Sequence, residues 1–240
     1  MKALSFVPAA GVQRLAGLIV FAAALYRCVL AVAQAQEPPA WADTFVSRLE
    51  ALALMQSLNV EILGSSSATL SLEKWCRDHR LAEEPKIVAR LIRGVDKAPT
   101  DEQRRRLQVT GREPVKYRRV QLRCGNQVLS EAENWYVPSR LTAEMNRLLE
   151  TTDTPFGKAI QPLEPYRQNL AVKILWSPLP DGWARDSSRR STDVTTDALA
   201  IPDALFEHRA ILYTRKHKPF SEVYEVYQRQ ILAFPQPRPY

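Results

Sequence analysis

The stretch that decides the fold is Val115-Lys-Tyr-Arg-Arg-Val-Gln-Leu-Arg-Cys124, then Gly125-Asn126, then Val128-Leu-Ser-Glu-Ala-Glu-Asn-Trp-Tyr-Val137 after Gln127. Two runs rich in β-formers joined by a tight polar turn predict an antiparallel hairpin. Within the first run Val120, Leu122 and Cys124 fall on one face, and Tyr117, Arg119, Gln121 and Arg123 on the other. Pro138 ends the second strand, and Leu141, Met145, Leu148 and Leu149 form a helical stripe after it.

Downstream, Thr151 to Gly157 reads as a turn, and Leu170, Val172, Ile174 and Trp176 alternate as a strand. Residues 177–205 are polar and Pro-punctuated, an irregular crossing. His208 to Thr214 and Phe220 to Ile231 are two further strands, joined closely enough at Lys216 to Pro219 for a hairpin. The Pro-rich tail from Phe234 to Pro239 cannot continue a ladder and is expected to be loosely held.

Upstream, the apolar spacing from Trp41 to Leu58 predicts a helix capped by Asp43 or Thr44. A Ser-rich turn, Gly64 to Ser67, leads to a second helix around Leu70 to Cys76, and residues 87–92 alternate as a strand. In the excursion 94–114, Thr100 and Gln103 have the form of a capping box. Strands joined by short turns, with helices grouped near the front, predict an α+β fold: an antiparallel sheet of about six strands covered on one side by helices.

The first 35 of the 240 residues carry Lys2, Arg14 and Arg27 but no acid, and Leu15 to Tyr26 is an unbroken apolar run. With Ala33-Gln34-Ala35 before a polar segment, residues 1–35 read as a cleaved signal peptide, with an uncleaved membrane anchor as the alternative. The expected product is a single periplasmic or secreted domain over 36–240. Removing that segment lowers the formal charge from +7 to 7 − 3 = +4. A surplus of this size suits a small anionic ligand as well as nucleic acid. Arg104-Arg105-Arg106 lacks interleaved aromatics and is read as a solvated face, so no nucleic-acid partner is expected. Of the cysteines, Cys76 and Cys124 remain; in an oxidising compartment they could pair, but their settings read more as buried free thiols.

His79, His208 and His217 fall in no metal-ligand spacing, and the chain has no Gly-rich phosphate loop and no G-x-S-x-G. Neither a metal nor an organic cofactor is expected.

Four segments resemble the chorismate pyruvate-lyase family. They are Arg119-Val-Gln-Leu-Arg-Cys124 running ungapped to Val137-Pro138, the helix closing on Thr154-Pro155-Phe156-Gly157, Pro165-Tyr166-Arg167, and Lys218-Pro219 leading to Glu225. The resemblance implies a six-stranded antiparallel sheet with helical flaps over an enclosed pocket, and conversion of chorismate to 4-hydroxybenzoate and pyruvate without a cofactor. It implies Arg119 as carboxylate-binding residue, Glu225 as the acidic residue, and the backbone amides of Phe156 and, by a looser match, Leu70 as further ligand contacts. Read from the residues alone, Arg119 belongs to a solvated polar strand face, and Arg167 is an ion-pair or capping residue. Two functions follow as expectations: an exported lyase needing Arg119 and Glu225 in one cavity, or a non-catalytic domain that binds a small aromatic or cyclic carboxylate.

Overall fold

A computed structural model describes residues 40–185 and 197–236, all within one unit, Pro38–Tyr240. The segment expected to be a signal lies outside the described residues. The elements are α1 (Phe45–Gly64), α2 (Ala68–Asp78), β1 (Ile87–Leu91), α3 (Asp101–Arg106), β2 (Lys116–Cys124), β3 (Gln127–Tyr136), α4 (Ala143–Thr151), α5 (Phe156–Ala159), β4 (Tyr166–Ile174), β5 (Ala204–Tyr213) and β6 (Pro219–Gln228). Six strands form one sheet in the order β1-β2-β3-β6-β5-β4, with every neighbouring pair antiparallel. The α+β class and the six-stranded sheet are those the sequence predicts.

Local chemistry sets the element ends. Thr44 caps α1 by accepting from the Ser47 amide at 3.1 Å, and Thr100 with Gln103 closes a complete capping box on α3. Gly125, at φ 54°, supplies the left-handed residue that the β2–β3 turn requires.

Alternation along the strands gives the sheet a dry face. Val120, Leu122, Cys124, Ala132, Phe206 and Tyr227 pack there against Met55, Leu58 and Ile62 of α1 and Leu72 and Trp75 of α2. Further along, Leu149 of α4 and Phe156, Ala159 and Ile160 at α5 join Tyr136, Leu212, Phe220 and Val223. The segment around α3 departs from the expected one-sided cover. Leu107 packs with Trp135 and Val137 near Tyr117 and Tyr224, on the opposite face.

Three expectations are corrected. Arg106 is not solvated: its guanidinium donates two 2.8 Å bonds to Glu222, which is fully buried and takes a counter-ion from the nearest helix. The tail is held as far as Phe234, which stacks on His79 and meets the rings of Trp41 and Trp75, burying apolar surface where no ladder is available. Cys76 and Cys124 are not free thiols but a disulfide joining α2 to β2, with Cα atoms 6.2 Å apart, inside the range that a disulfide spans.

The bridge closes a separation of 48 residues. In the chain-entropy account, a loop of that size stabilises by about 4 kcal/mol. The Cys76→Ala/Cys124→Ala protein is therefore expected to melt on the order of 10 °C lower, and reductant should lower the wild type but leave the double variant unmoved in a parallel melt.

Candidate functional site

The dry face carries ionisable groups on three adjacent strands. Glu225 of β6 is 6% exposed and pairs across the sheet with Ala132 and His208. Arg167 reaches it from edge strand β4, past β5, and donates through Nη2 to Glu225 Oε2 at 2.7 Å, with only 3% of its side chain exposed. Tyr227 donates its hydroxyl to the same oxygen at 3.1 Å. Burial works against the Arg167 charge, but the fields of Glu225 and Tyr227 outweigh it and hold the guanidinium above its ordinary pKa. Burial, then the Glu225 charge, pushes the Tyr227 phenol well up, so it stays a donor.

The network extends into α1. Arg167 Nε donates to Asn169 Oδ1, and Asn169 Nδ2 donates to the Leu63 carbonyl, each at 3.1 Å. Fully buried His208 is bonded through Nε2 to Asn59 Oδ1 at 2.7 Å, while its Nδ1 has no partner among the described residues. Burial lowers the His208 pKa to about 4; the Glu225 charge opposes that shift and the Arg167 charge adds to it. The imidazole is therefore neutral at physiological pH.

Above this floor lies a cavity of about 30 Å³, lined by Ser67, Ala68 and Thr69 at the start of α2, by Phe156 and Gly157 at the start of α5, and by Val120, Ala132, Asn134, Arg167 and Glu225 of the sheet. Two helices begin there, and the first amides of each have no intrahelical acceptor. Gly157 lets them meet: a Cβ at that position would lie 2.5 Å from Ser67 Oγ and 2.9 Å from Thr69 Oγ1. The polar and the apolar walls thus enclose room for one or two waters, far below the ~300 Å³ at the small end of ligand pockets.

Of the residues singled out from sequence, Glu225 and Phe156 meet at this cavity. Leu70 does not line it and is 39% exposed, although Ala68 and Thr69 in the same turn do. Arg119 lies on the opposite face, where it pairs with Glu131 at 3.1 Å, so the expectation that Arg119 and Glu225 share a cavity is corrected. The alternation set by Val120 and Leu122 puts Arg119 on the polar face, and only the family match had turned it to the cavity. The inward arginine is Arg118, 4% exposed, which donates to the carbonyls of Leu149 at 3.1 Å and Thr154 at 3.0 Å. Burial pulls its pKa down to about 10. It braces the segment that carries Phe156. Sequence reading missed Arg118, Asn59 and His208; the strand phase set by Val120 and Leu122 was the signal that could have found Arg118.

Fold and site together define an α+β domain with a small cavity, floored by a buried ion pair and bordered by two helix starts. The chain belongs to the family of the uncharacterized protein y4mC of Sinorhizobium fredii (strain NBRC 101917 / NGR234), with which it is 48% identical over 198 residues, covering 82% of this chain and 83% of that protein. No family model matches the chain. Among solved structures it is similar to PhnF from Mycobacterium smegmatis (14% identity, 74% of this chain and 70% of that one, TM-score 0.44) and to the PhnF effector domain (13%, 68% and 89%, TM-score 0.42). Another is the ligand-binding domain of a putative GntR-family transcriptional regulator from Bordetella bronchiseptica (16%, 59% and 82%, TM-score 0.38). Likeness at these TM-scores carries no argument about ligand or activity. The resemblance to the chorismate pyruvate-lyase family is corrected: no family model matches, and the arginine that carried the resemblance faces away from the cavity.

Removing one member of the buried pair leaves the other charge without its partner. Arg167→Met is expected to cost about 3–5 kcal/mol in urea unfolding, and Arg167→Met/Glu225→Leu to recover most of it. His208 gives a pH signature. The unfolded chain takes up that proton near pH 6.5 and the folded chain near 4, so stability is complete above pH 6.5 and falls by up to about 3 kcal/mol as pH drops towards 4. His208→Gln should flatten that slope in unfolding curves across the same range.

Proposed function

We propose that this chain is a non-catalytic binding domain for a small aromatic or cyclic carboxylate, acting outside the cytoplasm. The observation that carries the reading is the juxtaposition of two helix starts with a buried Arg167–Glu225 pair across one cavity. The start of the eleven-residue α2 concentrates unpaired amides and positive potential, which suits a carboxylate. The ion pair at the other end offers both a donor and an acceptor to a ring substituent, and Val120, Ala132, Ile160 and Val223 supply apolar wall between them. Glu225 already holds a guanidinium and a phenol on one oxygen.

A ring does not fit in about 30 Å³, so occupancy requires the starts of α2 and α5 to part. Such a domain would be most mobile empty and tightened when filled, the behaviour of a sensing module. Export is supported by the apolar run Leu15 to Tyr26 and by the Cys76–Cys124 disulfide, a bond that persists in oxidising compartments. Mass spectrometry of the exported product should find its first residue near Glu37; recovery of an intact N-terminus only from membranes would favour the anchor.

Calorimetric titration with benzoate, 4-hydroxybenzoate and cyclohexane carboxylate, beside the matching neutral amides, tests the binding reading. At least one acid should bind and raise the melting temperature, with its amide at least tenfold weaker. Gly157→Val, which drives a side chain into Ser67 and Thr69, should abolish that binding while the protein still melts cooperatively. Equal binding of acid and amide, or none by any acid, overturns the anionic ligand class. Release of pyruvate on incubation with chorismate overturns the non-catalytic reading.

A further inference from the structure

The two edges of the sheet are finished differently. β1 is five residues long, and its outer side is occupied where the Ala89 amide donates to the Asp153 carbonyl at 2.7 Å. β4 is nine residues long and pairs only with β5; among the described residues no backbone hydrogen bond leaves its other side. Long open edges are ordinarily blunted by charge or covered, because their unpaired N–H and C=O groups template pairing with another strand. β4 instead exposes apolar side chains: Leu170 is 38% exposed, Val172 42% and Ile174 39%. Val172 and Ile174 stand opposite His208 and Phe206, both fully buried, so the dry face continues to the edge, where no strand among the described residues pairs beyond β4.

The layer above ends in the same way. Asn59 of α1 bonds His208, the Leu63 carbonyl accepts from Asn169, and Arg48 donates to the Pro178 carbonyl at 2.7 Å, so α1 runs antiparallel to β4 along this margin. Leu52, Gln56, Asn59 and Leu63 recur at helical spacing on the flank turned towards β4, and none is charged. Strand and helix together make a two-layer uncharged margin in which Lys173 is the one charge on β4 outside the Arg167–Glu225 pair.

We infer that β4 is a dimer edge, and that its partner is the β4 of a second copy of this chain, paired antiparallel about a two-fold axis at Val172. A second copy is the occupant that brings a strand and a helix of matching lengths to this margin at once. Nine strand residues and twenty helix residues each extend ~30 Å. With two layers ~10 Å apart, the margin offers roughly 600 Å² per copy, which reaches the lower bound for a specific interface. The axis follows from charge and lies on the regular part of β4, beyond the bulge at Leu170: with Val172 facing its twin, Lys173 lies opposite Ala171. Moving the axis by one residue, to Lys173, would place the two Lys173 side chains against each other, an unfavourable cross-strand pair. The product is a continuous twelve-stranded sheet with the two cavities on the same face, and the inference does not depend on what those cavities bind.

Sedimentation velocity of the purified protein from 1 to 100 µM should show a monomer–dimer equilibrium, with amides of β4 exchanging faster on dilution. Ile174→Lys should shift that equilibrium at least tenfold towards monomer. Val172→Cys should form an intermolecular disulfide under air, whereas Lys173→Cys should do so at least tenfold more slowly. A monomer throughout the range overturns the inference, as does a dimer that Ile174→Lys leaves intact or that crosslinks equally through both cysteines. If Ile174→Lys fails to fold, as judged by its melt, the two cysteine variants decide alone.

Discussion

The buried Arg167–Glu225 pair is the constraint around which the rest of this domain is arranged. Two opposite charges on the dry face of a sheet survive there only if they are paired and further hydrogen-bonded. Tyr227 takes up one lone pair of Glu225, Asn169 takes up a second arm of Arg167, and the chain of bonds ends on α1 at Leu63. Because Arg167 is on the edge strand and Glu225 two strands away, the pair also fixes register. A one-residue slip of β4 would turn Arg167 to the wet face and strand a carboxylate in the core. The pair is weak evidence of stability in itself, since two apolar residues could fill its volume, but it penalises the wrong alignment of β4 heavily.

The sheet was legible because its strands announce themselves by period and its turns by residue type. Gly125-Asn126 between two alternating runs left one pairing, and the β5–β6 connection was nearly as short. Half of the site was legible for the same reason: Glu225 was conspicuous as an acid among apolar strand neighbours. The phase of β2 was legible as well, since Val120 and Leu122 set Arg119 outward and Arg118 inward; it was the family match, counted along the chain, that turned Arg119 to the cavity. The partners of His208 and Glu222 were hidden by distance, lying 149 and 116 residues away along the chain. The disulfide was hidden because apolar surroundings describe a bridged cysteine as well as a free one.

Both faces of the sheet solve the same electrostatic problem with different means. On the wet side Glu222 is fully buried and is neutralised by Arg106 from α3, a short helix that would have little reason to dock there on apolar area alone. On the dry side the counter-ion comes from within the sheet. The Arg106 contact thus couples the position of the 94–114 excursion to β6, the strand that also carries Glu225. A perturbation at either carboxylate is felt by a strand common to both.

The Cys76–Cys124 bridge sets how the cavity can open. It lies near the last turn of α2, whereas the cavity is bordered by the first turn, Ala68 and Thr69. Trp75 reinforces the far end by donating its indole N–H to the Ile231 carbonyl at 2.8 Å. With its C-terminal end bolted to β2 and wedged beneath the tail, α2 cannot slide or lift as a rigid rod. Only a swing about that bolted end is left to it, and over an eleven-residue lever, about 16 Å long, a tilt of a few degrees moves the first turn by on the order of 1 Å. The crosslink therefore acts as a hinge pin, turning a wall that would otherwise drift into one that moves along a single arc.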